Sequence, residues 1–241
     1  LGTFDQFTLL RIDIVDTLVG FELDLNRGGL LRVWDQFTIA DSTVSIGHDG
    51  AGGNSMYLAA SRQAVLGNLV DNNAQGEHNY RSMYWSKLVL SHNTFRSPNS
   101  GKANITLRAA NWYSGLGPVP KETHSEYGVI SDNQIVGVVG SSLPVNTSVD
   151  PAHPGRTRHA IFERNWWHNH PAVAGGGAAL GLNSDFTTIR NNILDLSDAG
   201  NAGYKCFSVG LAIGGPLDPA PPVNPVTGSP NPTTNWFYNN T

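Results

Sequence analysis

The sequence predicts an all-β chain wound as a right-handed parallel β-helix, with about eight coils and long inserted loops. Three observations carry this. Asparagine occurs 23 times in 241 residues, and Asn favours turns because its side chain competes with the helix backbone. Short apolar strands ending in Asn recur along the chain. No stretch shows apolar residues at helical spacing between caps.

The strands follow in order. Val65-Leu66-Gly67-Asn68 is the first to end in Asn, then Val89-Leu90-Ser91-His92-Asn93 and Val129-Ile130-Ser131-Asp132-Asn133. Ile161-Phe162-Glu163-Arg164-Asn165, Thr188-Ile189-Arg190-Asn191-Asn192 and Trp236-Phe237-Tyr238-Asn239-Asn240 complete the series. Each has an apolar residue three before the Asn. Val70, Phe95, Ile135, Trp167 and Leu194 sit two after it. Upstream, Asp-Gln-Phe-Thr occurs at 5–8 and again at 35–38, and puts Ile12 and Ser42 at the Asn position. The intervals between the eight positions are 30, 26, 25, 40, 32, 27 and 48 residues. Intervals near 25 suit three short strands and three turns, and longer ones carry loops. Stacked coils would set Asn above Asn at one bend. A β-sandwich or barrel is the alternative, but it would show hairpin turns every 8–12 residues or so.

Residues 1–241 read as a single domain. Loops are expected at 109–126, 140–158 and the proline-dense 213–234. The last coil is unfinished at Thr241, so a longer chain, or a further chain or subunit capping the C-terminal end, is expected. Formal charge is −4, with no basic run, which argues against nucleic acid as partner. No uncharged apolar stretch reaches the roughly 18–20 residues of a membrane span. Cys206 is the sole cysteine, so neither an intrachain disulfide nor a cysteine metal cluster can form. The chain starts at Leu1 without a signal pattern, as a processed product or a piece of a longer chain would.

Chemistry is expected on the strand after each Asn. Aligning His78-Asn79-Tyr80-Arg81 with Ile105-Thr106-Leu107-Arg108 turns Thr106, Arg108, Asn79 and Arg81 outward, and His78 and Tyr80 inward. Arg81 then stacks beside Arg108 at about 4.8 Å. Two like charges at that spacing repel by about 1 kcal/mol in water and roughly 3–4 at an effective dielectric near 20. Such a pair makes sense where an anion binds. The alternative is two solvated arginines, or arginines paired with Glu77 or Glu122. Tyr84, Trp85, Trp112 and Tyr113 flank the strands and could stack on sugar rings, or simply pack the coils. The candidate catalytic residues are Arg108, Arg81 and Tyr84. The candidate substrate-binding residues are His78, Asn79, Trp85, Trp112 and Tyr113. No metal site is expected from the residues; His168-Asn169-His170 lacks a third ligand. The Gly-rich runs 48–53 and 175–177 lack the Lys-Ser/Thr of a phosphate loop.

Arg81-Ser82, Asn93-Thr94-Phe95 and Ile105-Thr106-Leu107-Arg108 resemble a stretch of the alginate lyase and chondroitinase B family of polysaccharide lyases. The resemblance covers about 30 of the 241 residues. It implies a right-handed β-helix in which a Lys removes the C5 proton of a uronate and an Arg assists at the leaving oxygen. Calcium commonly neutralises the sugar carboxylate in that family. Here Arg81 stands at the family Lys, and Ala109-Ala110 replaces the family His-Gly. Arginine stays protonated, so the base is sought among His78, Tyr80 and Tyr84, or in an arginine made unusual by its surroundings; Tyr84 is best exposed in this register. Three functions compete. One is an extracellular or cell-surface lyase acting on an acidic polysaccharide. Another is a glycan-binding, adhesive or structural β-helix without catalysis. The third, a glycoside hydrolase, needs two facing carboxylates, with Asp132, Glu163, Asp185 and Asp195 as candidates.

Overall fold

The computed structural model describes residues 6–15, 17, 20–23, 34–46, 53–72, 77–96, 102–108, 124–136, 145–148, 157–169, 177–197, 204–209 and 235–241. They form an all-β solenoid whose strand pairs are all parallel. The first sheet stacks Gln6–Leu10, Trp34–Ala40, the second half of Met56–Leu66, Lys87–Ser91, Gly128–Ser131, Ile161–Glu163, Thr188–Arg190 and Trp236–Tyr238. The second stacks Asp13–Val15, Thr43–Ile46, Leu69–Asn72, Thr94–Arg96, Gln134–Val136, Trp166–His168 and Ile193–Leu194. The third stacks Phe21–Leu23, the first half of Met56–Leu66, Tyr80–Tyr84, Ile105–Arg108, Val145–Ser148, Gly177–Leu182 and Tyr204–Val209. Because Met56–Leu66 runs unbroken from the third sheet into the first, those two are hydrogen-bonded as one 14-stranded sheet. A short fourth sheet, Ser125–Glu126, Thr157–Arg158 and Ser184–Asp185, lies between them in later coils.

Two expectations are corrected. Each complete coil crosses the second sheet once, and that sheet has seven strands among the described residues, so the coils number fewer than eight. Ser125–Glu126, Val145–Ser148 and Thr157–Arg158 are strands, although they fall in the stretches 109–126 and 140–158 expected as loops. Val145 pairs with Ile105 and is fully buried, so a strand forms there despite its polar neighbours. The expected loop 213–234 lies outside the described residues, as do most of 109–126 and of 140–158. No helix among the described residues is long and apolar enough to cross a membrane.

The core is built from the repeat. Ile39, Val65, Leu90, Ile130, Phe162 and Ile189, each three before the corner residue, are fully buried. So are Val44, Val70, Phe95, Ile135 and Trp167, two after it, with Leu194 close behind. Strand alternation drives both positions inward, one on the first sheet and one on the second. The Gln-Phe-Thr parts of the two repeats, 6–8 and 36–38, meet in register, and Phe7 stacks on Phe37 with ring centroids 6.0 Å apart.

The corner between these sheets is a continuous asparagine ladder. Asn133 Oδ1 accepts from the backbone N–H of Asn93 at 3.0 Å and from its side-chain amide at 3.0 Å. Asn133 in turn donates through both groups to Asn165 Oδ1, at 3.1 and 2.9 Å. Its amide also reaches back to the Leu90 carbonyl at 2.8 Å. The same pattern links Asn68 to Asn93, Asn165 to Asn192, and Asn192 to Asn240. Ser42 continues it upstream, donating to Asn68 Oδ1 and accepting from the Ile12 N–H. The residue before each ladder position has positive φ, between 50 and 65°: Arg11, Asp41, Gly67, His92, Asp132, Arg164, Asn191 and Asn239. Seven of these eight are not glycine. Their left-handed conformation is held by N–H bonds to the next coil, as from Asp41 to the Leu66 carbonyl at 3.0 Å. At Gly67 a Cβ would lie 2.8 Å from Asp41 Oδ1, which makes glycine the fitting residue there.

Candidate functional site

A second polar ladder sets the start of the third-sheet strands. Ser55 Oγ donates to Asn79 Oδ1 at 3.1 Å, and the Asn79 amide donates to Asn104 Oδ1 at 2.7 Å and to the Arg96 carbonyl at 2.8 Å. Asn79 is therefore fully buried, a corner residue and not the outward-facing group expected. Met56, Tyr80 and Ile105 follow in register, all inward and buried.

This register corrects the arginine pairing. Ile105 pairs with Tyr80, so Arg81 lies beside Thr106 and Tyr57, while Arg108 pairs with Ser148 on the next coil. The two arginines share the outer face two residues out of step. Arg81 sits over the Tyr57 ring, 5.1 Å from its centroid, a cation–π contact on a partly dry surface. Arg108 is 8% exposed. The register shifts between Leu58 and Ala59, so that Leu58 faces Ser82 and Ala59 faces Tyr84. A bulge re-aims the side chains beyond it. Trp85 is fully buried in the core, and thus has no face to offer a sugar. Tyr84 is half-buried. Trp112 and Tyr113 lie outside the described residues.

His78 is the residue around which the charges gather, though alternation had aimed it at the core. It is buried, with Nδ1 3.0 Å from the Ala103 carbonyl and 3.1 Å from Thr106 Oγ1, a side chain of the outer face. The turn set by Asn79 breaks strict alternation there. Burial pushes the imidazole down to about 3, and the charges of Arg81, Arg108 and Lys102 push the same way. At neutral pH the ring is uncharged. A carbonyl only accepts, so Nδ1 holds the proton and Nε2 the lone pair. Glu77 faces it, with Oε2 3.6 Å from Nε2. Tyr80, the other inward candidate, is sealed in the core with its hydroxyl donating to Gln63 Oε1 at 2.5 Å. Burial raises its pKa, which disqualifies it as a base.

The remaining expectations find these places. Among the described residues no group of three or more His, Cys, Asp or Glu side chains converges. Among the described residues the carboxylate beside Arg81, Lys102 and His78 is that of Glu77, and two cations flank it. That donor set does not fit calcium. The hydrolase candidates are occupied as well. Arg164 grips Asp132 with two bonds of 2.7 and 2.8 Å and lies 2.8 Å from Glu163, which also accepts from Arg190 at 2.7 Å. The Arg164 bonds hold the Asp132 carboxyl below its ordinary value. At Glu163 burial works upward, but the bonds from Arg190 and Arg164 outweigh it and lower the carboxyl too. Neither is poised as a proton donor at neutral pH.

Two features were missed in the sequence. The Ser55–Asn79–Asn104 ladder was visible as polar residues 24 and 25 apart. The role of Lys102, which lies 3.7 Å from Glu77, had no sequence signal beyond its nearness to Arg108. No family model, no curated protein and no solved structure matches the chain.

Proposed function

We propose that the outer face around Arg81, Lys102 and Arg108 binds an acidic polysaccharide, in an extracellular or cell-surface setting where such polymers occur. The observation that carries this is the gathering of three cations around a buried neutral histidine, with Glu77 the acid among them. Concentrating like charge on one sheet face is costly unless an anion offsets it. A parallel solenoid repeats its face along the axis at about 4.8 Å per coil, which suits an extended polymer.

Cleavage by β-elimination is the second reading, supported by the resemblance of Arg81-Ser82 and Ile105–Arg108 to the lyase stretch. In it, the arginines would offset the uronate carboxylate and ease loss of the C5 proton. Neither His78 nor Tyr80 is tuned near neutrality, so cleavage would fall to the half-buried Tyr84.

Calorimetry with alginate, glucuronan and pectate oligosaccharides tests the first reading. Arg108→Ala should weaken binding by roughly 10- to 150-fold, the 1.5–3 kcal/mol of a charge-assisted contact. Equal binding by parent and variant would end it. Ultraviolet absorbance of an unsaturated product, lost in Arg108→Ala, would convert it to the second.

A further inference from the structure

Glu77 stands where the fold gathers positive charge. Its carboxylate lies 3.7 Å from Arg81 Nη1, 3.7 Å from Lys102 Nζ and 3.6 Å from His78 Nε2. Arg81 and Lys102 belong to successive coils, so the acid bridges two rungs of the solenoid. All three separations exceed the roughly 3.2 Å limit of a well-formed hydrogen bond. The side chains of Arg81 and His78 are 15% and 9% exposed, while that of Glu77 is 36% exposed. The fold therefore fixes Arg81 and His78, and leaves both Glu77 and Lys102, the latter 49% exposed, at the solvent. With Nδ1–H given to Ala103, His78 turns a lone pair toward the carboxylate, which adds no attraction. Exposed ion pairs of this length contribute little. An anion position is preformed, and its occupant is loosely held.

We infer that the point held by the Glu77 carboxylate is the carboxylate subsite of the ligand, and that Glu77 is an internal occupant which a uronate carboxylate displaces. This rests on the acidic-polysaccharide reading above. Lys102 joins Arg81 as a group that receives the ligand's charge. Displacement exchanges one carboxylate for another, so the subsite keeps its charge balance. A tethered carboxylate competes at an effective concentration on the order of millimolar. A single uronate therefore binds poorly. A chain of several, anchored elsewhere on the face, displaces Glu77 readily, so the device selects polymer over monosaccharide.

The test uses the full chain and two probes. Glucuronate is titrated while the His78 imidazole signals are followed by nuclear magnetic resonance, and an alginate oligosaccharide is titrated by calorimetry. Glu77→Gln, which keeps the shape and removes the charge, should bind glucuronate about tenfold more tightly than the parent. Glu77→Ala should act in the same direction. Adding Lys102→Ala to Glu77→Gln should abolish the gain. No saturable His78 response to glucuronate in Glu77→Gln would overturn the subsite. Weaker oligosaccharide binding in Glu77→Gln would also overturn it, by making Glu77 a ligand contact. A saturable glucuronate response in Glu77→Gln, with no acidic polymer bound by either protein, would support the subsite and sink the polysaccharide reading alone.

Discussion

The corner between the first and second sheets and the outer face of the third sheet are both polar, yet they are built on opposite plans. At the corner every rung repeats. The Asn oxygen accepts two bonds from the coil before it, from Asn93 to Asn240, and the Asn amide spans to the next, from Asn68 to Asn192. On the third-sheet face the described rungs do not repeat. Tyr57, Arg81 and Thr106 share one register row and differ in size, charge and chemistry. The corner is polar because buried backbone needs partners. The face instead gathers cations, with Arg81 and Lys102 each 3.7 Å from the Glu77 carboxylate. Regular polarity marks the corner in this molecule, and irregular polarity marks the face.

Breaking the corner should give the largest effect. Asn133→Ala removes the two bonds that Asn93 donates to it and leaves the Leu90 carbonyl without its amide donor. Each buried group left unpaired costs about 1–3 kcal/mol, so a loss of roughly 4 kcal/mol or more in urea unfolding is expected. A loss under about 1 kcal/mol would show that the ladder is dispensable. The face should respond to acid instead. The folded value of His78, about 3, lies below its ordinary 6.5. Between those values the unfolded chain takes a proton that the folded chain refuses. Stability should therefore fall as pH drops from about 6.5 toward 3, by a few kcal/mol in all. Replacing His78 by Asn should flatten that slope in melting curves. The smallest effect is expected on the first-sheet surface. Glu163→Gln breaks the bridge between Arg164 and Arg190. Because the carboxyl is lowered in the folded state, its contribution is present above the ordinary carboxylate range and lost as pH falls through the folded value. At neutral pH the change should stay under about 1 kcal/mol by chemical denaturation. A larger change would make this charged row as structural as the corner.

The corner was legible in the sequence because it repeats. The flanking apolar positions, the Asn rungs, and even the substitutions of Ile12 and Ser42 for Asn follow from spacing alone, since one bend geometry is copied from coil to coil. The face was legible only in part. Alternation turns Arg81 and Arg108 outward, yet Arg108 is buried at 8% exposure and the pairing is off by two residues. A strand slipped by two keeps every side chain on its own side, so hydrophobic pattern cannot detect the error. What fixes the register is the Ser55–Asn79–Asn104 ladder, and Asn79 was read as part of the face. The bulge at Leu58 and Ala59 explains Trp85, because beyond it simple alternation no longer applies. His78 was misplaced for a related reason: it lies in the turn, ahead of the strand.

The ladder is indifferent to how much chain separates its rungs. Asn68 and Asn93 are 25 residues apart, whereas Asn192 and Asn240 are 48 apart, yet the bonds between each pair measure 2.9–3.0 Å. Lengthening a connection costs only about 0.6 kcal/mol per doubling, provided its ends are already clamped. The coil thus works as a mounting rail. Segments of any length can be grown or exchanged between rungs without a change to the rail, so the surface can be rewritten by insertion while the core sequence stays still. Engineered loops placed between Asn93 and Asn133, where the chain already takes 40 residues for one turn, would inherit that tolerance.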